Sequence, residues 1–312
     1  MKLIIQIPCF NEEATLPITL ADLPRTVPGI DEVEWLIIDD GSTDRTAEVA
    51  RQHGVDHIVV HPRNMGLARA FMSGLDAALE FGADVIVNTD ADNQYSAQCI
   101  PLLVAPILEE RADMVIGART IDSIEHFSGI KKILQRIGSW TVRIASGTDI
   151  PDAPSGFRAF SRDAAGRLNV YSNYTYTLET IIQAGQKRMA LAWIPVETNE
   201  SLRPSRLMRG TLSYVVRSIA TILRIFVVYR PFQFFVSVGA ILLGTGTIVA
   251  ARFFYFYLAG DGQGHIQSLI LASILVGIGF QTVMVGFVAD LLGVNRSLLE
   301  ELKRKSRSRG AD

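Results

Sequence analysis

Asp84-Val-Ile-Val-Asn-Thr-Asp-Ala-Asp-Asn-Gln94 decides how this 312-residue chain is read. Val85 to Val87 are β-branched and apolar, as a buried strand requires. That strand carries two carboxylates one residue apart, Asp90 and Asp92, to its C-terminal end, where ligands bind in open α/β sheets. With Gln94 close by, the pair suits a hard divalent cation that keeps some waters and takes further oxygens from a substrate diphosphate. An isolated Asp-x-Asp is usually a solvated acidic turn; its surroundings argue otherwise here.

Short apolar runs and amphipathic stretches alternate on both sides of it. Leu3 to Ile7, Trp35 to Ile38, His57 to Val60 and Met114 to Ile116 read as further strands, with helical patterns around 12–24, 43–53, 66–81 and 98–111. Such alternation implies an α/β fold, a mostly parallel sheet covered by helices on both faces. Ser42 or Thr43 is placed to cap the helix near 43, with Asp44 in its first turn. The opening run Leu3 to Ile7 is too short for a signal-peptide core. Two cysteines, Cys9 and Cys99, give no disulfide framework and have no metal-ligand spacing.

Beyond residue 200 the composition changes. Six arginines and no acidic residue lie between Arg203 and Arg230, and Lys303 to Arg309 is basic again. Such segments suit nucleic acid or an anionic membrane surface, and the apolar runs between them favour the membrane over nucleic acid. Pro231 to Ala251 and Ile266 to Ala289 carry no charge, and each exceeds the roughly 20 residues that span a bilayer. The expected organisation is an α/β domain over 1–205, a basic amphipathic juxtamembrane segment over 206–230, a transmembrane hairpin over 231–292 (231–258 and 266–291) and a basic tail over 293–312. Arg224, Arg230, Arg296 and Lys303 flank the outer ends and the connecting loop has no lysine or arginine, which puts both termini in the cytoplasm. Arg252 snorkels to the far interface or faces the bundle interior, and Phe253 to Tyr257 read as an interfacial aromatic belt. Ala240/Gly244 and Ser273/Gly277 have the small-residue spacing for close helix packing and allow self-association into a homo-oligomer.

Two more loops open at the sheet edge that carries Asp90. The first strand ends in Pro8-Cys-Phe-Asn-Glu-Glu13 and the second in Asp39-Asp40-Gly41-Ser42-Thr43-Asp44. Together with Arg63-Asn-x-Gly66 and Asp-x-Asp, these runs resemble the family 2 glycosyltransferases of GT-A fold. Gly117-Ala-Arg119, Ser155-Gly-Phe-Arg158 and Arg203-Pro-Ser-Arg206 resemble the branch that makes polyprenyl-phosphate sugars, such as the dolichol-phosphate mannose synthases. The similarity covers roughly residues 3–210, and the hairpin resembles the anchor of many members.

The resemblance implies an integral membrane enzyme that moves a sugar, with inversion, from a nucleotide-sugar donor to polyprenyl phosphate, with UDP-sugars favoured over GDP-sugars. It puts Pro8, Phe10, Glu12, Ile38, Asp40, Asp90 and Ala91 around the nucleotide sugar, together with Arg203 and Arg206. Asp90, Asp92 and Gln94 would hold Mg2+ or Mn2+. Arg119, Arg158 and Ser155 would meet the acceptor phosphate, and Asp92, Arg119, Asp152 and Arg158 are the catalytic candidates. Some members carry lysine near Arg206, where arginine keeps the charge but presents a fork. A processive polysaccharide synthase would share the donor site, but it carries a Gln-x-x-Arg-Trp element and more spans than are found here. A non-catalytic scaffold that binds nucleotide sugar is the other alternative.

Other polar residues say less. Asp152 either orients an arginine or the sugar, or caps the Asp-Ala-Pro turn. Glu179 reads as a helix-start carboxylate. His53, His57 and His61 show no spacing to an acidic partner and read as surface or loop residues, as do His126 and His265.

Overall fold

The computed structural model describes residues 1–119, 140, 142–143, 146–170, 176–199, 224, 227–260 and 266–309. By contact, the chain divides into two compact units, 1–218 and 219–309.

Seven strands build the first unit: β1 (Lys2–Cys9), β2 (Glu32–Asp39), β3 (His57–Val60), β4 (Val85–Asn88), β5 (Met114–Arg119), β6 (Arg158–Ser161) and β7 (Leu191–Val196). Their order in the sheet is β3-β2-β1-β4-β6-β5-β7. All neighbours are parallel except β6, which runs against β4 and β5. The chain moves outward from β1 to β3, then returns to place β4 on the other side of β1. That reversal is a topological switch point, and in such sheets the crevice beyond the strand ends holds the ligand.

Leu3, Ile4, Ile5 and Ile7 are fully buried, as a central parallel strand with both faces covered requires. Leu3, Ile5 and Ile7 join a core with Leu16, Leu20, Ile100 and Leu103, contributed by α1 (Leu16–Asp22) and α4 (Ile100–Leu108). On the other face lies α3 (Leu67–Glu80), which buries Phe71, Leu75 and Ala78. It sits close because of Gly74, where a Cβ would lie 2.4 Å from Gln6 Oε1. The helices α2 (Thr46–Gln52), α5 (Arg162–Arg167) and α6 (Thr177–Gln186) complete the described part of this unit.

The helices are shorter than the sequence pattern suggests, and α2 begins differently. No side chain caps it, its N-cap is Arg45, and Asp44 precedes the first turn. Ser42 and Thr43 bond across to Asn11 instead, while Asp44 accepts from Thr46 N at 3.0 Å. The polar groups expected to start this helix are used to lock two loops together.

The second unit is a helical hairpin of α7 (Pro231–Leu258) and α8 (Ile266–Arg309). Pro231–Leu258 and Ile266–Asn295 are both long and apolar enough to cross a membrane. The helix α8 runs unbroken through the basic segment to Arg309. Ser237, Thr245, Thr247, Ser273 and Thr282 each donate to the carbonyl four residues back, which satisfies their hydroxyls within the helix.

The expected packing pairs, Ala240/Gly244 and Ser273/Gly277, do not form the interface. Gly244 and Gly277 face open space, whereas a Cβ on Gly239 would lie 2.6 Å from Val283 and one on Gly279 2.9 Å from Leu243. Gly246 and Gly286 continue the seam against Val276 and Phe235. The seam repeats every seven residues, as in helices that wind slowly around each other. Gly279→Leu should therefore overpack the hairpin at a cost of about 1–3 kcal/mol and lower the melting temperature of the detergent-solubilised protein by about 5 °C. Gly277→Leu should leave it unchanged; equal effects in the two variants would refute this seam.

Candidate active site

Because β1, β2 and β4 are parallel, the loops that follow them emerge at one edge of the sheet. Arg119, the last residue of β5, and the loop that precedes β6 arrive at the same edge, since β6 is antiparallel to both β4 and β5.

On one side of this edge the loops after β1 and β2 are interlocked. Asn11 adopts a φ of 55°. Its N–H donates to Ser42 Oγ at 2.9 Å, and its side-chain oxygen accepts from Thr43 N at 2.8 Å. Glu12 is buried; its N–H donates to Thr46 Oγ1 at 2.9 Å and its carboxylate accepts from Thr15 Oγ1 at 2.6 Å. Asp40 is also buried, and both its oxygens are engaged. Oδ1 bonds His61 Nδ1 at 2.7 Å and Met65 N at 2.9 Å, and Oδ2 accepts from Gly66 N at 2.8 Å. Asp40 thus fastens the loop 61–66 over Gly41. That residue must be glycine, with a φ of 71° and Arg63 backbone 2.3 Å from where a Cβ would stand.

His61 corrects its reading as a surface residue without an acidic partner. It is buried between Asp40 and Ser73, with Nε2 3.0 Å from Ser73 Oγ. His57 also has a partner, Glu34, at 2.8 Å. Pro8 and Ile38 face each other in register within the sheet, whereas the Phe10 ring is 38% exposed at its edge.

Asp90, Asp92 and Gln94 are all partly open to solvent. Their loop is pinned from both sides. Thr19 Oγ1 of α1 donates to Ala91 O at 2.9 Å, and Asn93 Nδ2 donates to Asp22 at 2.7 Å. Asn199 donates to Asn93 O and Gln94 O, both at 2.9 Å. Burial, with Asp92 and Glu12 nearby, pushes the Asp90 carboxyl up to about 7, although Arg119 and Arg158 act against the rise. Crowded carboxylates of this kind are what a divalent cation relieves, so the residues present fit Mg2+ or Mn2+. Among the described residues no third His, Cys, Asp or Glu joins the cluster. Two carboxylates and an amide oxygen leave room for diphosphate oxygens and water.

Arg119 stands beside this pair. Its Nε and NH2 reach Asp152 at 2.8 and 3.1 Å, and its backbone N–H donates to the same carboxylate at 3.1 Å. Asp152 is wholly buried, and its carboxylate holds the arginine's fork and backbone N–H together. Burial alone would lower the Arg119 guanidinium, but Tyr95, Asp152 and Asp90 outweigh it and hold it above its ordinary value.

Arg158 is placed differently from Arg119. It is fully buried, and its guanidinium donates to Ser155 O, Thr177 O and Ala153 O at 2.8 Å each and to Thr180 Oγ1 at 2.6 Å. Burial pushes it down to about 10. Its donors fasten the 153–155 loop to the start of α6, so contact with an acceptor phosphate is not a role this placement serves. Ser155 is buried in the same loop, and Glu179, in the first turn of α6, is buried too. Arg203 and Arg206 lie outside the described residues.

Sequence reasoning missed a buried polar chain behind the carboxylates. Gln6 Nε2 donates to Asn88 Oδ1 at 2.9 Å, and Asn88 Nδ2 donates to Gly156 O at 2.8 Å and to Tyr176 OH at 2.9 Å. The available signal was polar residues inside the apolar strands Leu3 to Ile7 and Val85 to Asn88.

An acid raised in the fold keeps a proton that the unfolded chain has already released, so its stabilisation is complete below the ordinary value of 3.8 and lost as pH rises to about 7. Asp90→Asn should therefore melt several degrees above the wild type at pH 8 in chelator, with the gap narrowing towards pH 5. A lower melting temperature for the variant at pH 8 would contradict the crowding.

Residues 4–168 match the family described as glycosyl transferase family 2. The undecaprenyl-phosphate mannosyltransferase of Micrococcus luteus is 26% identical over 230 residues, 70% of this chain and 93% of that one. The UDP-N-acetylglucosamine–dolichyl-phosphate N-acetylglucosaminyltransferase of Methanococcus voltae is 26% identical over 215 residues, 62% of this chain and 83% of its own. Among solved structures, the glucosyl-3-phosphoglycerate synthase of Mycobacterium tuberculosis, in complex with Mn2+, UDP and glucosyl-3-phosphoglycerate, is similar with a TM-score of 0.56. That likeness, at 22% identity over 72% of this chain and 78% of the other, is one of fold. With more than half its length matched and a sheet of GT-A arrangement, the chain belongs to glycosyl transferase family 2 and is a glycosyltransferase.

Proposed function

We propose that this chain transfers a sugar from a nucleotide-sugar donor to polyprenyl phosphate, giving a polyprenyl-phosphate-linked monosaccharide with inversion at the anomeric carbon. The observation that carries this is the Arg119–Asp152 pair beside Asp90 and Asp92. A fixed cation for an anionic acceptor stands next to a cation site for the donor's diphosphate.

Asp90, Asp92 and Gln94 would hold Mg2+ or Mn2+, which when bound supplies charge neutralisation for the departing diphosphate. Glu12, Asp40 and the interlocked loops shape the nucleotide end, with the Phe10 ring exposed at its edge. Arg119 would bind and orient the acceptor phosphate, its fork held in plane by Asp152. Arginine suits this role because its planar donors match phosphate oxygens in pairs. An acceptor oxygen attacks the anomeric carbon, the bond to the diphosphate breaks, and the nucleoside diphosphate leaves with the electron pair. A phosphate monoester with a second pKa of about 6 is already an anion near neutrality, so the step requires no general base. Positioning and charge stabilisation carry it.

A UDP-sugar is favoured over a GDP-sugar. The similar solved structure holds UDP, and the Methanococcus voltae relative is named for a UDP-sugar. A lipid acceptor also accounts for the two helices long enough to cross a membrane. They anchor the enzyme in the bilayer, with the catalytic unit in the cytoplasm, as the lysine and arginine distribution around them implies.

Purified protein in detergent, given undecaprenyl phosphate, Mn2+ or Mg2+ and a panel of UDP- and GDP-sugars, should place one sugar on the lipid, as read by mass spectrometry. Asp92→Ala should lower kcat/KM by at least about 100-fold, a loss of roughly 2.7 kcal/mol of transition-state stabilisation. Arg119→Ala should do the same, chiefly through the lipid acceptor. No lipid-linked sugar from any donor, in folded protein, would overturn the proposal.

A further inference from the structure

Tyr95 follows the cation-binding loop directly, yet its side chain belongs to the other half of the site. It is 4% exposed. Its hydroxyl accepts from Gly156 N at 3.1 Å, with the Ser155 side chain nearby. The ring stacks on Phe157 with centroids 5.1 Å apart, and the Arg119 guanidinium carbon lies 6.0 Å from its centre. Backbone bonds hold it from behind: Tyr95 bridges to Thr198, and Ser96 N donates to Glu197 O at 3.3 Å. One side chain therefore joins the loop of Asp90, Asp92 and Gln94 to the loop of Asp152 and Ser155, under the arginine.

We infer that Tyr95 is a positioning residue that sets the separation between the donor diphosphate at Asp90 and Asp92 and the acceptor phosphate at Arg119. This rests on the function proposed above. Each half is stiff in itself. Thr19, Asp22 and Asn199 pin the first, and Asp152 and Arg158 pin the second. In-line attack requires the reacting atoms about 3–3.5 Å apart, so a small slip of one stiff half against the other breaks alignment while leaving each half able to bind. Gly156 is where they meet. Its N–H is held by Tyr95 and its C=O by Asn88. A Cβ there would lie 2.9 Å from Tyr176 OH and 3.1 Å from each Asp90 oxygen. Removing the Tyr95 hydroxyl leaves a buried N–H without its acceptor, so the peptide has reason to shift.

Tyr95→Phe keeps the ring, its stacking on Phe157 and its place under Arg119. Its transfer kcat should fall about tenfold, while donor KM and the Mn2+ half-saturation constant stay within about twofold. Slow hydrolysis of the donor by water, measured without lipid, should be unchanged, because water is not placed by Arg119. In an Arg119→Ala background, Tyr95→Phe should cost less than about a further twofold, because the two act through one arrangement. Ser155→Ala, which removes the polar side chain beside the hydroxyl, should reproduce the pattern more weakly and serves if Tyr95→Phe folds poorly by thermal melt. Equal losses in transfer and hydrolysis, or additive losses in the double variant, would reduce Tyr95 to a structural role and overturn the inference. Wild-type transfer with a Tyr95→Phe variant indistinguishable from it would overturn the inference alone; no transfer by the wild type would overturn the proposed function with it.

Discussion

Two carboxylates one residue apart at the end of a buried strand repel each other, and the low dielectric around them makes that repulsion costly. Much of the first unit is arranged around this constraint. Burial first and the Asp92 charge second raise Asp90 to about 7, even though Arg119 and Arg158 lie close enough to oppose the rise. The loop that carries the pair cannot relax outward, because α1 and the segment after β7 hold it by three side chains. The fold thus keeps a concentration of negative charge that water would otherwise disperse, at the one place where the sheet reverses its winding and a ligand can enter.

Around that centre the protein repeatedly uses a side chain to fix a neighbouring loop. Asp40 bonds one side chain and two backbone N–H groups of the 61–66 segment. Arg158 ties three carbonyls and a hydroxyl of two segments together while fully buried. A buried charge held this way by hydrogen bonds is costly to strip of its partners, because the charge is then left without compensation. Residues of this kind resemble ligand contacts in a sequence motif and act as rivets in the structure.

The difference between contact and rivet explains what could be read from sequence. The strands β1 to β5 were legible because each carries a short apolar run rich in β-branched residues, and the carboxylate motif was legible because its spacing is local. The four-residue β6 was not: it begins with an arginine whose charge is buried, and it is too short to alternate. His61 was misread because its partner lies 21 residues earlier, a distance that no local spacing reveals. Gln6 and Asn88 meet across two strands that are adjacent in space but 82 residues apart in the chain. The helical hairpin was legible as a pair of spans, but not which of its glycines touch. That choice depends on a seven-residue seam rather than the four-residue spacing.

The reversed direction of β6 governs how the rim of the site is assembled. The loops after β1, β2 and β4 leave the sheet from strand C-termini, whereas the loop with Asp152 and Ser155 enters it through the N-terminus of β6. Arg119 at the end of β5 and Asp152 ahead of β6, 33 residues apart in the chain, are therefore delivered to the same edge and meet there as an ion pair. The strand that breaks the parallel pattern thus lets a strand beginning, and not only strand ends, furnish side chains to this rim, so that a cation and its counter-charge arrive from opposite chain directions.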